Sequence, residues 1–312
     1  MKKALCINSI QDLAALTRSG IEYIETRMVD REICENPEHS LQQIIPYVVF
    51  YTTCLDAGKI KILQYLRPEK ISEDRLQSKT SVGFGGHIDQ IEDLVFTEII
   101  KDSDLEKYKM SLNDIVDTCI LAANRETKEE LGINIIESDY LSINERECIF
   151  FSVNSGLEVD KVHTGFLIPV KIEEENYEKF RAAIVIKEDE IKQIDNLTLN
   201  FDVIISSLSY SEVIPEVISE ISQKSNLEKW SEQSIAFILH KEINNFIKDI
   251  EYADLLAIHK HKISLKFQPI QPAPETVLTS NETDSGDNQA SPSEIKPTES
   301  LAEPQVSEPA SS

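Results

Sequence analysis

The chain of 312 residues carries 31 Lys plus Arg against 55 Asp plus Glu, a formal charge of −24. So acidic a surface excludes broad binding to DNA or RNA, whose affinity comes mainly from Lys and Arg displacing counterions from phosphates; a small phosphate-containing substrate would need a metal or a local site. The 41% hydrophobic content is that of a globular protein, and the length allows one large domain or two smaller ones.

At the N-terminus, Met1 to Ile7 begins with two lysines, but Asn8-Ser9 and Gln11-Asp12 break the run before any signal-length apolar core, so no secretion signal is expected. Tyr47 to Thr52 and Ile60 to Leu66 are β-branched and aromatic with a turn-like Asp56 to Lys59 between them, which predicts a hairpin. The enclosing apolar run, Ile44 to Leu55, contains Pro46, Thr52 and Thr53 and falls short of the ~20 residues that span a bilayer, so no membrane partner is expected. A third strand is predicted into Gly83-Phe84-Gly85-Gly86, followed by an acidic stretch, Asp89 to Met110, expected as an inserted loop with a short helical piece. Ser111 and Asp114 have capping-box spacing, and Ile115 to Leu131 is helix-favouring up to Gly132 at the C′ position. Strands are predicted over Ile133 to Ile143, Cys148 to Val153 and His163 to Ile172, and predominantly helix from Lys187 to about Ile250. There, Ile235, Ile238, Leu239, Ile243, Phe246, Ile247 and Ile250 form an apolar stripe beginning near Trp230, a helix that packs on the sheet or makes a partner contact such as a homodimer.

This order gives a mixed α/β layer architecture. One domain is expected over residues 1–250, an extension without assigned structure over 251–267, and a disordered tail over 268–312. The tail holds seven of the twelve prolines, no aromatic residue and a net charge of −7, so −17 remains on residues 1–267. The five cysteines, Cys6, Cys34, Cys54, Cys119 and Cys148, are widely spaced and form no Cys-x-x-Cys pair. Neither a disulfide framework nor a zinc ribbon is indicated, and a soluble cytoplasmic protein with buried thiols is expected.

The segment Arg125-Glu126-Thr127-Lys128-Glu129-Glu130-Leu131-Gly132-Ile133 carries the chemistry. On a helix, Glu126 shares a face with Glu129 and Glu130, so three carboxylates can converge, and they would raise one another's pKa unless a cation compensates. Hard oxygen ligands suit Mg²⁺ or Mn²⁺. A solvated Glu/Lys helix accounts for the same residues, but these acids occupy the last turns, where the macrodipole disfavours negative charge by ~0.3–1 kcal/mol each. Arg125 adds a planar cation able to orient a neighbouring carboxylate.

Here the sequence resembles a Nudix hydrolase, whose signature reads Gly, five residues, Glu, seven residues, Arg-Glu, aliphatic, any, Glu-Glu, any, Gly, aliphatic. Arg125 to Ile133 matches its second half, with Thr127 at the aliphatic position. In the first half Asp117 stands where the family has Glu and Ser111 where it has Gly, leaving open which acid partners Arg125. Gly86, in Gly83-Phe84-Gly85-Gly86-His87-Ile88-Asp89, is the better match for that glycine and implies an insertion of 25 residues. The same segment, with Val162 to Phe166 and Leu227 to Ser231, resembles a bacterial subgroup of predicted phosphoesterases over roughly residues 28–240.

The resemblance implies a Nudix-type α/β/α sandwich with a mixed sheet, plus C-terminal helices. It implies Glu126, Glu129 and Glu130 as ligands of Mg²⁺ or Mn²⁺, Arg125 as the residue orienting them, and hydrolysis of a diphosphate linkage in a nucleoside diphosphate derivative. Gly85, Gly86 and His87 would approach the phosphates, and Glu188 or Glu190 are candidates for an extra carboxylate or the general base. A catalytically weak or inactive nucleotide-binding module on the same fold is the alternative. The cluster His259-Lys260-His261 matches no partner motif and is read as surface.

Overall fold

The computed structural model describes residues 2–267 apart from 19, 55–58, 70–75, 103–104, 154–160, 188–190, 206–209 and 250–261. Contacts divide the chain into Met1–Gln271 and Pro272–Ser312. The expected disordered tail and the His259 to His261 cluster therefore lie outside the described residues, as do Glu188 and Glu190.

In chain order the described elements are β1 (Lys3–Ile7), α1 (Ile10–Arg18), β2 (Ile24–Asp30), α2 (Arg31–Cys34), β3 (Gln42–Cys54), β4 (Lys59–Leu66), β5 (Thr80–Ser81), β6 (Glu98–Asp102), β7 (Leu105–Met110), α3 (Leu112–Leu131), β8 (Leu141–Ile143), β9 (Ile149–Phe151), β10 (His163–Ile172), α4 (Glu174–Ala183), β11 (Gln193–Ile205), α5 (Tyr210–Ser225), α6 (Lys229–Asp249) and β12 (Lys262–Phe267). The path of the sheet is β12-β11-β4-β3-β1-β2-β7-β6, with β10 beside β3. The β10 and β3 strands run parallel from His163↔Gln43 to Lys171↔Tyr51, while the other named pairs are antiparallel, so the sheet is mixed as expected.

Alternation along β3 and β4 builds two cores. Ile44, Val48, Phe50, Leu63 and Tyr65 face a cluster that takes in Ile115, Cys119, Ala122 and Ala123 of α3 and Tyr177 and Phe180 of α4. Tyr47, Val49, Tyr51, Ile60 and Ile62 face the opposite way, against Ile214, Val217 and Ile221 of α5 and Ile235, Ile238, Leu239 and Ile243 of α6. Period-two side chains buried on both faces are what a central strand between two helical layers requires. Each fully buried side chain of this size contributes ~1.5–3 kcal/mol. The described part of the α6 stripe is thus used within the chain, against the sheet.

Three expectations are corrected. The stretch Asp89 to Met110 has its short helical piece, a 3-10 turn at Ile91–Asp93, but where loop was expected it forms the hairpin β6–β7, which extends the sheet beyond β2. Of Ile133 to Ile143 only Leu141–Ile143 is strand, because Asn124 in α3 accepts hydrogen bonds from the backbone N–H of Ile135 and Ile136 and holds that segment in a turn. Within the expected helical region, Gln193–Ile205 is a 13-residue strand paired with β4 from Gln193↔Leu66 to Asn200↔Lys59. Its alternation in Leu197 and Leu199, both buried, outweighs the acidic, helix-like composition before it. Among the described residues no helix is long and apolar enough to cross a membrane.

Candidate active site

Helix α3 is fixed at both ends by the expected signals. The Asp114 N–H donates to Ser111 Oγ at 3.2 Å and the Ser111 N–H to Asp114 Oδ2 at 2.7 Å; at the other end Gly132, with φ 70°, closes the helix. Thr127, at the signature's aliphatic position, is fully buried, and its hydroxyl donates back to the carbonyl of Ala123 at 3.0 Å, so it acts as an apolar core residue. The chain returns to the end of α3 at Val185 and Lys187, whose N–H groups donate to the carbonyls of Leu131 and Glu130.

The strand end Val82 to Ile88 lies beside α3. Phe84 pairs with Val48 through both backbone hydrogen bonds. Gly85 has φ 144°, and a Cβ there would stand 2.2 Å from the Pro46 carbonyl oxygen; a Cβ on Gly86 would stand 2.8 Å from Glu126 Oε2. Both positions need glycine, the second because a signature carboxylate occupies the space.

Arg125 organises the site. Its Nε donates to Asp93 Oδ2 at 2.9 Å, its Nη2 to Asp89 Oδ1 at 2.9 Å and to the His87 carbonyl at 3.2 Å, and its Nη1 to Glu126 Oε1 at 2.7 Å and Glu129 Oε2 at 3.3 Å. One guanidinium therefore serves four carboxylates. Burial works against its charge, but Asp93, Glu126 and Asp89 more than offset this and hold its proton tightly. Asp117 is exposed. The acids that hold Arg125 come from the inserted stretch, where Leu94 is buried in the core and the Val95 N–H donates to Thr118 Oγ1 of α3 at 2.8 Å. Sequence reasoning missed Asp89 and Asp93, although both lie within the acidic stretch just after the glycines.

The three signature glutamates differ. Burial raises the Glu126 carboxyl to about 7, Arg125 opposes this, and Glu129 and Asp89 add to it. Glu129 is half exposed at the rim of the arginine. Glu130 acts on Tyr65 and Arg67 through its charge. Among the described residues no group of three or more His, Cys, Asp or Glu side chains is gathered as a metal cage. The donors still suit a hard divalent ion, since one arginine faces four carboxylates and leaves a net negative charge there. His87 Nε2 is buried with no hydrogen-bond partner among the described residues, and the ring lies 5.6 Å from that of His163. Burial, then Arg31, His163 and Lys2, lower its pKa to about 3.

A glycine strand end against a helix bearing Arg-Glu-x-x-Glu-Glu-x-Gly, on a mixed sheet between helical layers, is the arrangement that the resemblance to the Nudix hydrolases implies. No family model matches the chain. Protein YmaB of Bacillus subtilis (strain 168) is 32% identical over 180 residues, which cover 54% of this chain and 71% of that protein, and the chain belongs to the family of Protein YmaB. Among solved structures, Tm1382, assigned to the Nudix hydrolases, gives a TM-score of 0.40 at 16% identity, covering 77% of this chain and 99% of that one. A C. elegans Ap4A hydrolase gives 0.34 at 14%, covering 66% and 98%, and a mutT/nudix family protein from Listeria innocua gives 0.35 at 13%, covering 65% and 96%. At these TM-scores the likenesses carry no argument.

Proposed function

We propose that the chain is a metal-dependent hydrolase of a diphosphate linkage in a nucleoside diphosphate derivative. The observation that carries this reading is Glu126, a buried signature carboxyl set against Gly86 within a cluster of four acids and one arginine. Glu126, Glu129 and Glu130 would hold Mg²⁺ or Mn²⁺. When bound, such an ion supplies positive charge to the diphosphate and lowers the pKa of water.

The chain's own residues prepare that site. Arg125 fixes Glu126 and Glu129 from one side, and Asp89 and Asp93 fix Arg125, so the carboxylate positions are set before substrate arrives. Gly85 and Gly86 keep the strand end free of side chains, which allows backbone to approach a phosphate. His87 contributes its carbonyl to Arg125, and its ring Nε2 is buried.

Asp117, exposed at the position where the signature has Glu, favours the second reading, a binding module without turnover. Phosphate or nucleotide release from a panel of nucleoside diphosphate derivatives with Mg²⁺ or Mn²⁺ separates the two. Turnover that Glu130→Gln lowers at least ~100-fold with the fold retained supports the hydrolase. Ligand binding without release from any member of the panel supports the module.

A further inference from the structure

Two thiols meet far from the signature helix. Cys6 of β1 and Cys34 of α2 lie 2.9 Å apart, sulfur to sulfur, both fully buried in a small cluster with Ala4, Val29 and Leu41. That gap is about an ångström longer than the ~2.05 Å of a disulfide bond. Otherwise the sulfurs face backbone carbonyls, of Ala4 for Cys6 and of Val29 and Asp30 for Cys34.

We infer that Cys6 and Cys34 form a reversible intramolecular disulfide when the protein meets a peroxide, Cys34 being oxidised first and Cys6 closing the bond. The hydrogen bond between the two thiols, with burial, pushes Cys6 up, while the same bond draws Cys34 down, which makes Cys34 the better thiolate. Its sulfur attacks a peroxide oxygen, the O–O bond breaks, Cys34 becomes a sulfenic acid and the displaced oxygen leaves as water. The Cys6 sulfur then attacks the Cys34 sulfur, the S–O bond breaks, and the departing hydroxide takes the Cys6 proton to form a second water. The two thiols lose two electrons and hydrogen peroxide gains them. Because both sulfurs are buried, reaction proceeds through local opening of the satellite cluster.

The bond would close the segment that supports the glycine strand end. In that segment the Leu5 N–H donates to the Ile88 carbonyl at 2.9 Å and the Arg31 N–H to the Lys2 carbonyl at 3.0 Å. Oxidation would thus lock β1 and α2 together beneath the residues that follow Gly86.

The full chain is treated with hydrogen peroxide at low protein concentration, denatured, alkylated and weighed. The expected result is a fall from five alkylated cysteines to three, reversed by dithiothreitol, with Cys6 and Cys34 joined in a non-reducing peptide map. Cys34→Ser should retain four alkylated cysteines after the same treatment, and Cys6→Ser should lose only Cys34, to sulfenic or sulfinic acid. Circular dichroism and the untreated thiol count establish that each variant is folded. Retention of all five thiols in the wild-type protein, a link between other cysteines, or dimers held by disulfides overturns the inference.

Discussion

Two buried polar clusters flank the strand end that carries the glycines, and they are balanced differently. On the α6 side, Glu228 is 8% exposed; its Oε1 accepts from Tyr47 at 2.7 Å and Ser81 at 2.6 Å, and its Oε2 lies 3.5 Å from Arg67 Nε. Ser231 completes it, its Oγ accepting from the Val82 N–H at 3.0 Å. One anion there meets one cation and several neutral donors. On the α3 side, one cation meets Asp89, Asp93, Glu126 and Glu129. The first cluster is complete as it stands and joins α6 to the strand. The second is overloaded with negative charge, the condition under which a further cation binds favourably.

The contrast can be broken most severely at Arg125. Replacing it by Met leaves buried carboxylates without their cation, and urea unfolding should show a loss of ~3–5 kcal/mol. A loss below ~1 kcal/mol would mean that water and counterions compensate the four acids in place of Arg125. Gly86→Ala tests the geometry, since its Cβ would meet Glu126 Oε2 at 2.8 Å. Displacing that carboxylate by about an ångström should lower hydrolysis ~100-fold while costing little stability, and unchanged turnover with an intact far-UV spectrum would remove Glu126 from the site. In the balanced cluster, Glu228→Gln keeps the shape and removes the charge that accepts from two hydroxyls; about 2 kcal/mol of stability should be lost, measured in the same urea titration. A neutral result would show that the charge of Glu228 contributes nothing to the cluster.

The smallest effect is in the pH dependence of stability, measured with a chelator present. Glu126, raised to about 7, binds a proton in the folded state between pH 4.5 and 7 that the unfolded chain releases, so its contribution falls as pH rises through that window. His87, lowered to about 3, is neutral when folded and protonated when unfolded between pH 3 and 6.5, so its contribution rises with pH there. The two oppose each other from pH 4.5 to 6.5. Glu126→Gln should therefore expose a rising slope in that interval, and a slope identical to that of the wild-type protein would show that Glu126 does not titrate as proposed.

The signature helix was legible because its signals are local. Ser111 and Asp114, Gly132, and the spacing of Arg125, Glu126, Glu129 and Glu130 all act within one element, where 3.6 residues per turn fix which side chains share a face. The central strands were legible for the same reason, since Tyr47 to Thr52 and Ile60 to Leu66 carry their own propensity. The β6–β7 hairpin and β11 were not, because Lys107 and Lys109 or Asp195 and Asn196 suit a strand only once β2 or β4 lies alongside to pair with it.

The sequence by itself determined the helix that bears the glutamates and placed the glycines near position 86. Only the tertiary structure decided what holds Arg125. Asp117 sits where the signature calls for an acid yet turns to solvent, while Asp89 and Asp93, 36 and 32 residues away along the chain, form the ion pairs at 2.9 Å. It likewise brought Cys6 and Cys34, separated by 28 positions, to 2.9 Å. Spacing along a chain encodes contacts within an element, whereas contacts between elements depend on how buried surfaces pack, and no local pattern carries that information.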